Sequence, residues 1–274
     1  MRKGVRAAVA AAVLVGLLGL TACSSPSGGS AGTSPSASLG PSADAIQKRG
    51  VLKAGVKIDV PKFGYKDPGT GKIDGFEIDL VRAVAKKILG DPNKIELTGV
   101  TAKTRAALLD NGEIDLVAAT FTITEDRKKS LNFTDSYFTD GIAIMVKKGS
   151  GITGLKDLDK KKIGVAKSAT TKARLQEKAG PLGVQPEFLE YDSYPEIKAA
   201  LDAGRVDAFS VDGAILYGYL DDSTEILPDR YSQEEYGIAT AKPKTDLAKV
   251  VNDTLAELKS SGELDQLKQK WGLK

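Results

Sequence analysis

The 274-residue chain is 41% apolar and 27% charged, a globular balance rather than a disordered one, and it is long enough for two ordinary domains. It has no histidine and one cysteine, which excludes Cys/His nucleophilic sites and the usual zinc ligand sets. Lys and Arg number 39 against 36 Asp and Glu, and the small basic excess sits at the start of the chain.

There, Arg2, Lys3 and Arg6 precede an apolar run over 7–20. This is the layout of a secretory signal over 1–22, too short and too rich in Ala and Gly for a permanent span. The run ends Leu-Thr-Ala-Cys23, which resembles the bacterial lipobox; an ordinary signal with an incidental cysteine is the alternative. An odd cysteine in an exported chain wants a reason, and lipidation of Cys23 supplies one. Residues 23–43 carry almost nothing but Ser, Gly, Ala, Pro and Thr after that cysteine, so they read as a lipidated, flexible tether. Taking residues 1–22 away removes Arg2, Lys3 and Arg6 and no acid, leaving 36 basic against 36 acidic residues. A neutral body gives no reason to expect nucleic acid as a partner, and membrane contact is expected through the anchor only.

Past the tether, a short helix over 43–48 leads into a strand over 51–56. A helix opens near residue 75, with Phe76, Leu80, Val84 and Ile88 at four-residue steps along one face. A strand over 95–100, a helix over 104–110 and a strand over 115–120 come after it. Strands alternating with helices at this spacing imply βαβ units. The pattern then restarts: KKIGVAK at 161–167 echoes VLKAGVK at 51–57. A helix over 171–179 and a strand over 187–191 come next. A capping box of Ser193 and Glu196 starts a helix to residue 203, and a strand over 206–211 ends the echo. The last stretch is the plainest: LLDNGEIDLVAAT at 108–120 returns as ALDAGRVDAFSVD at 200–212. Counting five past each matched aspartate lands on Thr120 and Asp212, one at each strand end. The tail holds strand-like residues 236–240, an amphipathic helix over 245–260 and another over 263–271. The expected architecture is α/β with two lobes, each a mostly parallel sheet flanked by helices. Lobe 1 is 44–140 plus 239–274, lobe 2 is 141–238, and crossings near 139–147 and 237–241 make a two-strand hinge. Ligands of open α/β sheets bind at the carboxyl ends of strands, so facing lobes would share one cleft.

Gly75-Phe76-Glu77-Ile78-Asp79-Leu80, the run Ala118 to Arg127 (AATFTITEDR) and Tyr236-Gly237-Ile238 resemble the family 3 extracellular solute-binding proteins, the amino-acid receptors of ABC importers. The resemblance covers residues 45–273. It implies the type II periplasmic-binding-protein fold, no cofactor or metal, and no enzymatic activity. It also implies an extracytoplasmic monomer held at the bacterial membrane through Cys23, with an ABC permease and its ATPase as partners. Gly55 to Pro61 (GVKIDVP), Ala102 to Arg105 (AKTR), Ala169-Thr170-Thr171 and Asp207 to Asp212 (DAFSVD) are most similar to the aspartate/glutamate binders.

The same resemblance implies the roles of the site residues. Arg127, on a short helix capped by Thr124, pairs with the ligand's α-carboxylate, a task that suits a planar fork. Thr122, Thr170 and Thr171 supply further donors, the last two at a helix N-terminus. The Thr120 carbonyl and the Asp212 carboxylate hold the ammonium, although Asp212 could equally be an N-cap. Lys57 and Arg105 read the distal carboxylate of glutamate or aspartate, with Lys167 and Tyr194 as further contributors. Two other functions fit the same fold. One is a dehydratase-type or peptidoglycan-cleaving enzyme, for which only carboxylate chemistry is available here. The other is a surface protein that hands its ligand to a sensor, or one that takes a different polar amino acid.

Overall fold

A computed structural model describes residues 38–273. The signal segment, Cys23 and the tether as far as residue 37 lie outside the described residues. The first helix, Pro41–Arg49, begins inside the stretch read as tether. Ser42 donates from its N–H and hydroxyl to Asp246 at 2.6 and 2.8 Å, and Ala43 and Ile46 are buried. The body therefore starts earlier than composition suggests, because a long-range carboxylate supplies the bonds a Ser/Pro/Gly run lacks.

Two sheets organise the body. In the first, the order is Ile95–Gly99, Leu52–Val56, Leu116–Ala118, Ala239–Ala241, Leu131–Phe133. In the second it is Glu187–Tyr191, Lys162–Ala166, Ala208–Asp212, Phe138–Lys147, Thr224–Ile226. The leading three strands of each are parallel and identically ordered, and the remaining pairings are antiparallel. The sheets are thus mixed rather than mostly parallel. The antiparallel fourth strand of each sheet arrives from elements built on the other. Phe138–Lys147 carries the chain from the first sheet to the second, and Gln233–Tyr236 pairs with it before the chain returns to Ala239–Ala241.

The repeat is real at the level of backbone bonds. Gly112 and Gly204 both turn through the left-handed region, at φ 73° and 69°, where glycine carries no Cβ penalty. Asp115 then accepts Lys53 N–H at 2.9 Å, and Asp207 accepts Lys162 N–H at 2.8 Å. Each aspartate pins the first residues of a neighbouring parallel strand, so the same short text builds the same corner twice.

Helix Phe76–Leu89 buries Phe76, Ile78, Leu80, Val81, Val84, Ala85 and Ile88. Helix Thr245–Ser260 packs beside it with Leu247, Val250, Val251, Leu255 and Leu258 inward. Helix Glu263–Lys270 closes the tail, where Lys270 and Trp271 reach Asp79 at 2.6 and 2.8 Å. Where the strands cross, Phe63, Phe76, Tyr137, Phe138 and Tyr236 form an aromatic cluster with centroids 5.1–6.3 Å apart. A small antiparallel sheet, Asp59–Val60, Gly64–Lys66 and Ile73–Asp74, sits beside the first strand. Among the described residues no helix is long and apolar enough to cross a membrane.

Candidate functional site

The strand ends of both sheets converge on one buried cluster. Lys57 follows Leu52–Val56 and is 2% exposed, and Arg105 opens the helix Arg105–Asp110 and is 3% exposed. Cations are almost never this buried without partners. Lys57 Nζ lies 2.9 Å from Asp59 Oδ1, an ion-pair contact whose angles are not those of a hydrogen bond, and 4.5 Å from the Tyr194 ring centroid. Arg105 donates from Nη1 to the carbonyls of Ala119 at 2.6 Å and Thr120 at 3.1 Å. Its Nε has no partner, and among the described residues no carboxylate stands within ion-pair distance of it. Burial lowers the proton affinity of both groups, partly offset at Lys57 by Asp59.

Arg127 lies close by. Thr124 caps its helix, accepting Arg127 N–H at 3.2 Å. Its guanidinium donates to the Thr122 carbonyl at 2.7 Å and to the Ser168 carbonyl at 3.1 Å, tying together strand ends of the two sheets. Arg105 and Arg127 both stack on Phe121, with Cζ atoms 3.8 and 4.8 Å from the ring centroid. Desolvation first, and then repulsion from Arg105, bring Arg127 down to about 9.

Two backbone positions at the site are strained. Thr120 and Ser168 adopt φ 43° and 62°, a region that costs a β-branched residue most. Thr120 is held there from both sides: its N–H donates to Glu77 at 2.5 Å and its carbonyl accepts from Arg105. A carbonyl has two lone pairs, so this leaves one for the ammonium expected there.

Asp212 is 5% exposed and makes no cap bond to the helix Gly213–Leu216 that comes after it. Instead it accepts the hydroxyl of Tyr236. It thus occupies the N-cap position of that helix without capping it through its side chain. Burial, and then the neighbouring Glu234, push its carboxyl up to about 7.

Thr122 and Thr171 are buried, at 4% and 1% exposed. Thr170 donates its hydroxyl to Glu234 at 2.9 Å, so that group is already engaged. Ser193 caps as expected, accepting Glu196 N–H at 3.4 Å, but Glu196 reaches the Asp192 N–H at 3.1 Å rather than completing the box. Tyr194 is 5% exposed and offers its ring face to Lys57.

Lys167 stands apart. The echo aligns it with Lys57, but strand pairing does not: Gly55 faces Val117 as Gly164 faces Phe209, so the counterpart of Lys57 is Ala166. A one-residue slip turns a side chain to the other face of a sheet. Lys167 accordingly points outward, 40% of its side chain exposed, and pairs with Asp192 at 3.0 Å.

Sequence reasoning missed four groups here. Phe121 lies inside the AATFTITEDR motif without a role, and Asp59 lies inside GVKIDVP. Ser168 had no signal beyond its place after a strand. Glu77 lies within the helix-opening motif, where a carboxylate reads as a favourable charge in the first turn. It is instead completely buried, accepts the Tyr137 hydroxyl as well as Thr120 N–H, and is driven up to about 7 chiefly by desolvation. Tyr137 and Tyr236, one from each crossing, thus each hold one site carboxylate. Among the described residues no group of His, Cys, Asp and Glu could hold a metal ion. Two buried cations, the half-buried Arg127 and two buried carboxylates whose hold on a proton is strengthened by burial, set around a strained strand end, make a polar recognition site.

Comparison with known proteins gives this site its class. Residues 52–274 match the family model described as bacterial extracellular solute-binding proteins, family 3. The chain is similar to the ABC transporter glutamine-binding protein GlnH of Bacillus subtilis (strain 168), at 40% identity over 92% of this chain and 91% of that one. It is also similar to the glutamine-binding protein of Geobacillus stearothermophilus, at 42% identity over 88% of this chain and 95% of that one. Among solved structures, an ancestral arginine-binding protein bound to glutamine superposes with TM-score 0.73 and 37% identity, covering 81% of this chain and 98% of that one. The chain therefore belongs to the bacterial extracellular solute-binding proteins, family 3, a family of ligand carriers and not of enzymes.

Proposed function

We propose that this protein captures an acidic L-amino acid, glutamate or aspartate, between its two sheets and delivers it to an ABC permease powered by a cytosolic ATPase. Arg127, with Thr122, Thr170 and Thr171, takes the α-carboxylate. The Thr120 carbonyl and Asp212 take the ammonium. Lys57 and Arg105, with Tyr194 alongside, take the distal carboxylate, and Lys167 stays outside on the rim. Lipidated Cys23 would keep the carrier at the outer face of the membrane; a single acyl chain holds only weakly, so stable anchoring needs more than one.

The single observation that carries the choice of an acidic ligand is Arg105, buried with an unpartnered Nε and no carboxylate at ion-pair distance. A buried cation of this kind is balanced when an anion arrives. An amide would leave it uncompensated, and a broken buried pair costs about 3–5 kcal/mol, roughly two to four orders of magnitude in affinity.

A second reading is glutamine. It draws on the two relatives named for that ligand and on Asp59, which already offsets Lys57. Calorimetry of the purified protein against the twenty amino acids separates the two. The acidic reading expects glutamate or aspartate to bind at least about a hundredfold more tightly than glutamine, and preference for glutamine overturns it.

Bridging contacts support closure around the ligand. Tyr219 donates its hydroxyl to the Asp59 carbonyl, Arg127 reaches Ser168, and Pro61 packs against Gly218. A ligand touching both halves favours the closed arrangement by its differential contacts alone.

A further inference from the structure

We propose that Glu77 sets the charge offered to the ligand's side chain, so that its protonation shifts preference between a carboxylate and an amide at that position. The inference rests on the acidic-ligand reading above and names the residue that tunes it.

Glu77 is the second residue of helix Phe76–Leu89 and has no exposed surface. Its Oε1 accepts both Thr120 N–H and the Tyr137 hydroxyl, whereas its Oε2 is buried with no hydrogen-bond partner. A glutamine would hold the same two donors through its amide oxygen. What a carboxylate adds is the ability to lose a proton, at the cost of burying a half-satisfied oxygen.

The charged and titratable groups around it come from each neighbouring element. Lys57 comes just after the first strand, Arg105 opens the helix at 105, and Tyr137 immediately precedes Phe138–Lys147. Both cations act on Glu77 through space, with neither in an ion pair with it. When Glu77 is protonated, Asp59 offsets Lys57 and the charge of Arg105 remains for a ligand carboxylate. When Glu77 is ionised, the four groups Lys57, Arg105, Asp59 and Glu77 are formally neutral together. An anionic side chain then enters against a like charge.

The sign comes from linkage. An anion placed beside Glu77 strengthens its hold on a proton, so binding glutamate takes up a proton and weakens as pH rises through about 7, where burial has moved this carboxyl. Glutamine carries no such charge and exerts no such pull. Asp212, which faces the ammonium, titrates for both ligands alike, so the ratio of their affinities isolates Glu77.

The test is calorimetry of the purified protein with L-glutamate and L-glutamine at several pH values between about 5.5 and 8.5, spanning the titration of a buried carboxylate. At pH 7 it is repeated in two buffers of different ionisation enthalpy. The expected result is a glutamate-to-glutamine affinity ratio that falls about tenfold across this range, the size of a like-charge contact in a partly screened interior. Binding glutamate takes up more protons than binding glutamine, the contribution of Asp212 being common to both. Glu77→Gln should hold the ratio at its low-pH value throughout and abolish the difference in uptake between the two ligands. A ratio flat with pH in the unmodified protein, or a slope that persists in Glu77→Gln, overturns the inference. Should that variant fail to fold, the two-buffer measurement on the unmodified protein decides alone, and equal proton uptake with glutamate and glutamine overturns it. Failure of the acidic-ligand reading looks different: glutamine is then bound more tightly at every pH, the lowest included.

Discussion

Arg105→Gln tests whether this cation reads the ligand's far end. In the protein its Nη1 makes two bonds to strand-end carbonyls, at 2.6 and 3.1 Å, and its ring-stacked plane covers Phe121. Losing those bonds leaves the Ala119 and Thr120 carbonyls short of a donor, a cost of about 1–3 kcal/mol each. Set against a typical total of about 5–15 kcal/mol, the variant melts earlier yet remains folded. Its effect on binding should be selective. Glutamate loses a charge-assisted partner in a desolvated site, about 3–5 kcal/mol or two to four orders of magnitude. Glutamine loses at most a hydrogen bond from the guanidinium to its uncharged amide oxygen, about 1.5–3 kcal/mol or roughly one to two orders of magnitude. Calorimetry with both ligands below the melting temperature reads the difference directly. Equal losses for the two would show that Arg105 acts only by holding the Ala119–Thr120 strand end in place, and the side-chain role would be wrong.

Arg127→Ala should lose every amino acid alike, by about a thousandfold or more for a bidentate pair with a carboxylate; a variant that keeps glutamine while losing glutamate would exchange its role with that of Arg105. Gly218→Ala would place a Cβ 2.8 Å from Cδ of Pro61, propping the halves apart. Affinity should fall about tenfold for a modest overpacking penalty, with the ligand-free melting temperature unchanged, and unaltered affinity would show that this contact does not bear on closure. The ligand-free protein should lose stability between pH 5 and pH 8, by a few kcal/mol on the order expected for buried carboxyls held near 7. The stability from Glu77 and Asp212 is fully present below their unfolded values and is lost as pH rises through about 7, whereas Asp74, depressed to about 2, is ionised across this window and adds no slope. Thermal melts at the two pH values check it, and a melting temperature that rises with pH would contradict it.

What could be read from the sequence was the local grammar that repeats. The Asp110–Gly112–Asp115 and Asp202–Gly204–Asp207 corners were visible because each residue type has one job: end a helix, turn left-handed, pin a strand. The amphipathic helices were visible because burial on one face imposes a period. Phe138–Lys147 was read only as part of a crossing, since its buried run GIAIMV shows no alternation, and strands of two or three residues such as Asp59–Val60 are too short to carry a pattern. The echo between 51–57 and 161–167 misled at its last residue. Sequence pattern alone aligned two lysines, while pairing register separates Lys57, buried, from Lys167, half-exposed. Glu77 and Asp59 escaped because an acid beside a helix start or a turn is ordinary on a surface, and only the folded chain shows that these two reach the interior.

The most direct measurement is a crystal structure of the protein grown with L-glutamate. The guanidinium of Arg105 and the ammonium of Lys57 should both lie within hydrogen-bond distance of the ligand's distal carboxylate, with Arg127 on its α-carboxylate. A distal carboxylate that contacts only uncharged groups, with Arg105 still bound to the Ala119 and Thr120 carbonyls alone, would contradict the account.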